Sequence, residues 1–318
     1  MRALITGGAG FIGSNLAQRC VDEGWSVDVV DDLSNGHREF VPKGARDFFK
    51  SDFASGTHIK RLGNGLYDVV FHIAAVPRVS YSVEHPLETN DVNVSRTLRL
   101  MQACRGNVKR VIFASSSSVY GGALEMPTSE GSPKDPKSPY ALQKSIIEDY
   151  LKLYHLLYGL DSACLRFFNV FGPNQLGDSP YATAVSAWLS AIMKGKPMRS
   201  DGDGTQTRDM CYVDNVVDAC VKAAQYDKGD LKAECFNVAC GDSTSNNQIL
   251  AKLMERYPQA VVQTAPWRPG DVMHTLADVS KAERVLGYVP IVRFWEGLER
   301  TVEWAEKTPE FLSLALKT

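Results

Sequence analysis

Tyr140 and Lys144 stand four residues apart, just ahead of a long run of alternating apolar and charged residues over 145–158. Residues at i and i+4 share one face of a helix. A helix through this stretch therefore presents a phenol and an ammonium to the same cleft. A phenol ordinarily keeps its proton to a pKa of about 10, and a neighbouring cation favours the phenolate and lowers that value. The pair is a candidate acid/base for taking the proton from a hydroxyl whose carbon is being oxidised. Such a reaction needs a two-electron acceptor, and the start of the chain offers a place for one.

Residues 2–6 form a short apolar run of the kind that makes a buried parallel strand. Gly7-Gly-Ala-Gly-Phe-Ile-Gly13 follows, then a helical pattern over 14–23 that stops at Gly24. Strand, glycine turn and helix in that order are the context of a dinucleotide-binding fingerprint. Gly8, Gly10 and Gly13 fit G-x-G-x-x-G, while Gly7, Gly10 and Gly13 fit the G-x-x-G-x-x-G variant. The glycines allow a tight turn, close approach of a pyrophosphate and packing of helix on sheet. The helix N-terminus adds N–H donors and partial positive charge. A second strand, 26–30, leads to Asp31-Asp32, where an acid about 20 positions beyond the glycines accepts from the adenosine ribose hydroxyls. Asp31 takes that role and disfavours the extra phosphate of NADP, so the expected cofactor is NAD. A positive charge close by, Arg38, works in the opposite sense.

These residues need a scaffold. Strand patterns at 2–6, 26–30, 45–50, 67–73, 110–115, 162–168 and 235–238 alternate with helical segments, which predicts an α/β protein with a Rossmann-type, doubly wound parallel sheet. After Asn169 the pattern changes to loop with one helix, 182–193. A helix over 213–225 follows, and 235–238 reads as a return to the sheet. The expected division is an NAD-binding domain of 1–168 plus about 205–240, and a smaller, discontinuous C-terminal substrate lobe of about 169–204 and 241–318. The lobe would close over the C-terminal edge of the sheet, where open α/β sheets bind ligands. At 318 residues and 44% hydrophobic content the chain can bury a substantial core. A formal charge of −2 gives no footprint for nucleic acid or an anionic membrane surface. Apolar stretches are too short for a membrane span. A strand starting at residue 2 leaves no signal peptide, and seven scattered cysteines read as reduced thiols of a cytoplasmic protein. No histidine or cysteine spacing suggests a metal. Ile146, Ile147, Tyr150, Leu151, Tyr154 and Leu157, with the segment 93–103, carry more aliphatic surface than one sheet face needs. Either all of it is internal core or the chain pairs as a homodimer through a helical bundle.

Eight ordered stretches, Gly7-Gly-Ala-Gly-Phe-Ile-Gly13, Asp31-Asp-Leu-Ser-Asn-Gly36, His72-Ile-Ala-Ala75, Ser115-Ser-Ser-Ser-Val-Tyr-Gly121, Tyr140-x3-Lys144, Arg166-Phe-Phe-Asn-Val-Phe-Gly-Pro173, Arg208-Asp209 and Arg268-Pro-Gly-Asp271, together resemble the extended short-chain dehydrogenase/reductase family. Within it the chain is similar to the UDP-sugar 4-epimerases over nearly its whole length. The resemblance implies a catalytic set of Ser116, Tyr140 and Lys144, with Ser116 orienting the sugar O4 and Lys144 also holding the nicotinamide ribose. It assigns the cofactor to Gly7, Gly10, Phe11, Ile12, Gly13, Asp31, Asp32, Ser34, Asn35, Gly36, Asp52, Phe53, Ala74, Ala75 and Asn93, besides Tyr140 and Lys144. It assigns the UDP-sugar to Arg78, Ser116, Ser118, Asn169, Tyr181, Arg208, Arg268, Asp271 and Thr275. Arginine forks suit a diphosphate.

Members of this family first oxidise a sugar carbon. Dehydratases among them carry Asp-Glu in the two positions before Val-Tyr-Gly, and decarboxylases carry Glu in the second. Here those positions are Ser117 and Ser118, which implies simple reduction of the 4-keto sugar on its other face and hence an isomerase acting at C4. A non-catalytic NAD-binding module would not need Ser116, Tyr140 and Lys144 together. Relatives confined to UDP-Glc/UDP-Gal often place tyrosine four positions after the aspartate of Arg-x-Gly-Asp. Thr275 stands there and leaves room for an N-acetyl group, so the resemblance favours UDP-GlcNAc/UDP-GalNAc, as in surface-polysaccharide biosynthesis, with UDP-Glc/UDP-Gal tolerated. Asn174 and Leu176 occupy a turn where uronate-acting relatives commonly have arginine. Arg78 is available instead, which keeps a UDP-glucuronate 4-epimerase open, beside a non-epimerase nucleotide-sugar oxidoreductase.

Overall fold

The computed structural model describes residues 1–122, 125–177, 182–267 and 272–308. In chain order the first part runs β1 (Arg2–Thr6), α1 (Phe11–Asp22), β2 (Ser26–Asp31), β3 (Asp47–Lys50), α2 (Gly56–Gly63), β4 (Val69–His72), α3 (Val79–Glu84), α4 (Pro86–Asn90), a π-helical turn (Asp91–Arg96), α5 (Thr97–Cys104), β5 (Arg110–Ser116), a 3-10 turn (Ser117–Tyr120), α6 (Pro139–Tyr158) and β6 (Ser162–Phe167). There follow β7 (Val170–Phe171), α7 (Ala184–Met193), β8 (Met198–Asp201), β9 (Thr207–Arg208), β10 (Cys211–Tyr212), α8 (Val213–Gln225), β11 (Glu234–Val238), β12 (Thr244–Ser245), α9 (Asn246–Arg256), β13 (Val262–Ala265), α10 (Ser280–Leu286) and α11 (Phe294–Lys307).

Seven strands make one sheet in the order β11-β6-β5-β4-β1-β2-β3, with every neighbouring pair parallel. Both faces are covered, and the side chains alternate accordingly. Ala3 and Ile5 enter the core shared with α1 and α8, while Leu4 enters the core shared with α2, α5 and α6. A strand buried on both sides has no polar face, which is why β1 reads as an unbroken apolar run. The strand order reverses between β1 and β4, so the turns after them leave for opposite faces and open a crevice at the C-terminal edge. At the other end of β5, buried Arg110 pairs with Asp161 at 2.5 Å and donates to the carbonyls of Ala223 (3.1 Å) and Tyr226 (2.6 Å) at the end of α8. A guanidinium there satisfies carbonyls that the helix cannot.

Several boundaries differ from the sequence expectation, each for a local reason. The first helix starts three residues early, at Phe11, because Gly10 rather than a later residue is its N-cap. Helix α6, by contrast, begins as expected at Pro139, with the Ser138 hydroxyl accepting from the Ala141 N–H. The third strand loses residues 45–46, where Arg46 turns to pair with the fully buried Asp28. The fourth loses Ile73 at one end and Tyr67 and Asp68 at the other, where the Tyr67 hydroxyl donates to the same carboxylate at 2.7 Å. The region expected to be loop between 194 and 204 contains β8, which pairs in parallel with β13. Two shorter ladders, β7 with β10 and β9 with β12, hold the neighbouring segments. The aliphatic stripe on α6 divides: Ile147 and Leu151 are core, while Leu142, Leu153, Leu156 and Leu157 are exposed, the last two by 78% and 57%. All seven cysteines are buried and free. Among the described residues no helix is long and apolar enough to cross a membrane, and no His/Cys/Asp/Glu group could hold a metal ion.

Candidate active site

The crevice is built around the turn after β1. Gly7 has φ +70°, and a Cβ there would lie 2.8 Å from the backbone of Ala74 in the turn after β4. At Gly13 a Cβ would lie 2.1 Å from the carbonyl oxygen of Gly7. Helix α1 therefore begins hard against the turn, with no side-chain cap on Gly10. These features fit a dinucleotide: a backbone that a pyrophosphate can approach, and helix N–H groups not taken by a side chain. Phe11 and Ile12 form the first turn of α1. Asp31 ends β2 and is buried, its two oxygens accepting from Ala9 N (3.0 Å) and Leu33 N (2.8 Å). Burial pushes its carboxyl up, against these hydrogen bonds. Gly36 packs on Asp31, and Asp32 accepts from Ser34 N in the same loop, which includes Asn35. Asp52 is paired with Arg96, and the Phe53 ring is buried edge-on to His72.

Beneath the turn, His72 bridges Thr6 Oγ1 and Thr97 Oγ1, each at 2.8 Å, and Thr6 Oγ1 also accepts from Ala74 N. Burial pushes the imidazole down to about 3, the charge on Lys144 acting the same way, so it is a neutral buckle between β1 and β4. Asn93, inside the π-helical turn, grips the backbone of Val76 through both amide atoms and donates to Gln143 of α6 at 2.8 Å. Its side chain fixes the loop that carries Ala74, Ala75 and Arg78. Arg78 donates to Ser80 Oγ at 3.2 Å and lies near the Tyr81 ring.

Helix α6 delivers Tyr140 and Lys144, both buried, to the end of β5. The share of the lowering of Tyr140 expected from the ammonium is corrected by the structure. Burial pushes the phenol up to about 12; the Ser116 hydroxyl acts to lower it. The ammonium does not supply the lowering, because Lys144 Nζ turns back to β5, donating to the Ala114 carbonyl at 2.6 Å and lying over the Phe113 ring. Burial also pushes Lys144 down to about 7, with Glu148 opposing that shift. The Ser118 N–H donates to Ser116 Oγ at 3.2 Å, whereas the Ser118 hydroxyl is buried without a partner among the described residues.

Across the crevice, Asn169 follows β6 with φ 34°. It donates to Thr275 Oγ1 (3.2 Å) and the Asp209 carbonyl (2.9 Å), and Asp209 N donates to the same Thr275 hydroxyl at 3.1 Å. Arg208 on β9 donates to the carbonyls of Thr207 and Met273. Thus Asn169, Arg208 and Thr275 form one cluster, and Ser116, Tyr140 and Lys144 another. Tyr181, Arg268 and Asp271 lie outside the described residues.

Several contributors had no sequence expectation attached. Asp209, fully buried, accepts from the N–H groups of Cys240, Gly241 and Ala277 and so ties three segments of the chain together. Burial nonetheless pushes its carboxyl up to about 7. Gln143 joins Asn93 to Thr89. Glu148 forms a buried pair with Arg166 of β6 at 2.7 Å and accepts from Ser115 Oγ at 2.6 Å. Glu148 falls at i+4 from Lys144 and i+8 from Tyr140, and that spacing was the available signal.

Residues 3–239 match the model of the NAD dependent epimerase/dehydratase family. A UDP-glucose 4-epimerase of Mycolicibacterium smegmatis is 37% identical over 313 residues, 96% of this chain and 98% of that one. Among solved structures, a UDP-N-acetylglucosamine 4-epimerase from Methanobrevibacter ruminantium in complex with UDP-N-acetylmuramic acid superimposes with TM-score 0.89 at 37% identity, covering 96% of this chain and 98% of that one. A UDP-glucose 4-epimerase from Thermotoga maritima with UDP-glucose gives 0.91 at 36% identity, covering 97% and 100%.

The depressed ammonium has a measurable consequence. Between about pH 7 and pH 10 the unfolded chain holds a proton on Lys144 that the folded chain has lost, so its contribution to stability rises with pH. In protein stripped of nucleotide, urea titrations of wild type and Lys144→Met should show the difference shifting in favour of wild type by an amount on the order of 4 kcal/mol across that range. A difference independent of pH would mean that burial does not depress Lys144.

Proposed function

The chain belongs to the NAD-dependent epimerase/dehydratase family, and on the geometry of its site we propose that it is a UDP-hexose 4-epimerase that prefers UDP-GlcNAc and UDP-GalNAc and accepts UDP-Glc and UDP-Gal. The observation that carries the reaction type is the meeting of Ser116, Tyr140 and Lys144 at the end of β5 beside Ser117 and Ser118. A hydroxyl–phenol–ammonium set handles a proton on a secondary alcohol. Serines at 117 and 118 supply no carboxylate to remove water or a C5 proton.

NAD, when bound, takes up and returns the electron pair at C4. The residues that would hold it are the Gly7–Gly13 turn with Phe11 and Ile12, then Asp31, Asp32, Ser34, Asn35 and Gly36. Asp52 and Phe53, Ala74 and Ala75, Asn93 and Lys144 complete the set. Tyr140 accepts the proton from the sugar O4 as the carbon becomes a ketone, and gives it back as the alcohol re-forms. Ser116 orients the same oxygen beside the phenol. Tyr140, held up at about 12 by burial against the Ser116 hydroxyl, would be lowered by the positive charge of an oxidised nicotinamide once bound. Arg208, with Arg268 and Asn169, grips the diphosphate, and Asp271 meets the uridine ribose. This anchor holds while the 4-keto sugar turns its other face. Residues 1–168 with about 205–240 serve as the cofactor domain, and about 169–204 with 241–318 as the substrate lobe.

Substrate preference rests on Thr275. Its hydroxyl is engaged by Asn169 and by Asp209 N, so this short side chain is held back against the lobe and leaves volume where a tyrosine would project. The exposed Leu142, Leu153, Leu156 and Leu157 on α6 support pairing of two copies through a helical bundle.

Incubation with UDP-GlcNAc, UDP-Glc and UDP-GlcA followed by product separation tests the reading. Wild type should give the C4 epimer of the first and, more slowly, of the second. Turnover of UDP-GlcA alone would overturn the substrate assignment, and release of stoichiometric reduced cofactor, seen by its near-ultraviolet absorbance, would overturn the epimerase cycle. Tyr140→Phe should lower kcat by roughly 100-fold or more with cofactor still bound. For Thr275→Tyr, a loss roughly tenfold greater for N-acetylated than for plain hexoses is expected; equal losses would undo the pocket argument. Light scattering should give twice the chain mass for wild type and a single-chain mass for the Leu156→Glu/Leu157→Glu variant. A monomeric wild type would remove the pairing.

A further inference from the structure

Three consecutive residues at the end of β5 are each engaged by a different side chain of α6. The Ala114 carbonyl accepts from Lys144 Nζ at 2.6 Å, Ser115 Oγ donates to Glu148 Oε1 at 2.6 Å, and the Ser116 hydroxyl acts on the Tyr140 phenol. Tyr140, Lys144 and Glu148 follow one another at intervals of four on one helix face. The first and second of these belong to the proton chemistry; the third touches neither the phenol nor the Ser116 hydroxyl, though its charge supports the Lys144 ammonium.

Glu148 is fully buried, and its carboxylate is saturated from β5 and β6. Besides Ser115, it accepts from Arg166 Nε at 2.8 Å and Arg166 Nη2 at 2.7 Å. Arg166 is the register partner of Ser115 across the two strands, so strand pairing itself sets the guanidinium beside the serine. The guanidinium is held in turn: Nη1 donates to Tyr120 Oη at 2.9 Å, and Tyr120 Oη donates to Asn237 Oδ1 of β11 at 2.7 Å. A buried ion pair contributes little stability over apolar residues of the same volume. What this one supplies is direction. An apolar contact tolerates a slide of the helix along the strand, whereas a two-pronged carboxylate–guanidinium pair with a third donor does not.

We propose that Glu148 is a positioning residue: clamped by Ser115 and Arg166, it fixes the register of α6 on β5 so that Tyr140 meets Ser116 and Lys144 meets Ala114. The inference rests on the epimerase reading for its kinetic arm and on the fold alone for its structural arm. Helix rise is about 1.5 Å per residue, and a misplacement of about 1 Å at a reacting group can cost roughly 100-fold in rate.

The test uses the holoenzyme and four variants. Ser115→Ala removes one donor and leaves the ion pair, so it keeps the fold. Glu148→Gln sets an amide against the guanidinium. The double variant asks whether the two act as a unit, and Asp161→Asn weakens the remote buried pair with Arg110 as a control for stability alone. Expected are a fall in kcat of roughly tenfold for Ser115→Ala and roughly 100-fold for Glu148→Gln, unchanged KM and bound cofactor, and a double variant no worse than Glu148→Gln. Asp161→Asn lowers Tm and leaves kcat unchanged. Hydrogen exchange over residues 139–148 quickens in the first three variants and not in the control, a readout that stands whether or not wild type turns over a UDP-hexose. Unaltered exchange in α6 overturns the inference, as does wild-type kcat in Ser115→Ala and Glu148→Gln, or additive losses in the double variant. Absence of any wild-type turnover refutes the functional reading instead, with the exchange arm still deciding this one.

Discussion

The close approach of two turns, one after β1 and one after β4, is the constraint on which the site depends. No side chain fits at Gly7 because the backbone of Ala74 occupies that space. His72 holds the two strands together from below, between Thr6 and Thr97. From this contact a chain of hydrogen bonds leads outward. Thr6 accepts from Ala74, Asn93 holds Val76, and Asn93 reaches Gln143 in the helix that carries Tyr140. The turn suited to a cofactor and the helix suited to proton transfer are thus parts of one connected framework. A change in either turn is felt by α6 through groups that never touch a substrate.

Three of the buried carboxylates inside this framework are met by donors from other segments of the chain. Asp28 has Arg46, Arg61 and Tyr67; Asp161 has Arg110 and the N–H groups of Leu231 and Lys232; Asp209 has three backbone N–H groups. An unpartnered charge at such depth would cost several kcal/mol. Lys144 is the exception among the cations: its close partner is a carbonyl rather than an acid, which is why burial moves it so far.

Much of the fold was legible because its signals are local. Strands buried on both faces read as apolar runs, and glycines at 7, 10 and 13 stand where strand gives way to helix. A four-residue interval placed Tyr140 and Lys144 on one helical face, and α6 carries both. What escaped was set by meetings across long sequence separations. The Glu148–Arg166 pair needs α6 laid on β6, and Asp209 needs three segments that come together only in the folded chain. Two-residue ladders such as β9 with β12 are too short to leave a periodicity. The ammonium's share in the acidity of Tyr140 was misjudged because helical spacing says which groups share a face. It does not say where a lysine's long side chain turns or how deeply a phenol is buried.

The chain leaves the sheet after β6 and comes back as β11, the strand hydrogen-bonded directly beside it. The segments that carry Asn169 and Arg208 are therefore an excursion between two adjacent staves, not a module hung on a tether. Removal of the segment between them would leave β11 unconnected to β6 at the edge of the sheet. Variation in what this scaffold binds can accumulate in the loops of the excursion and in the segment after β11, which carries Thr275, with the strand pairing left intact.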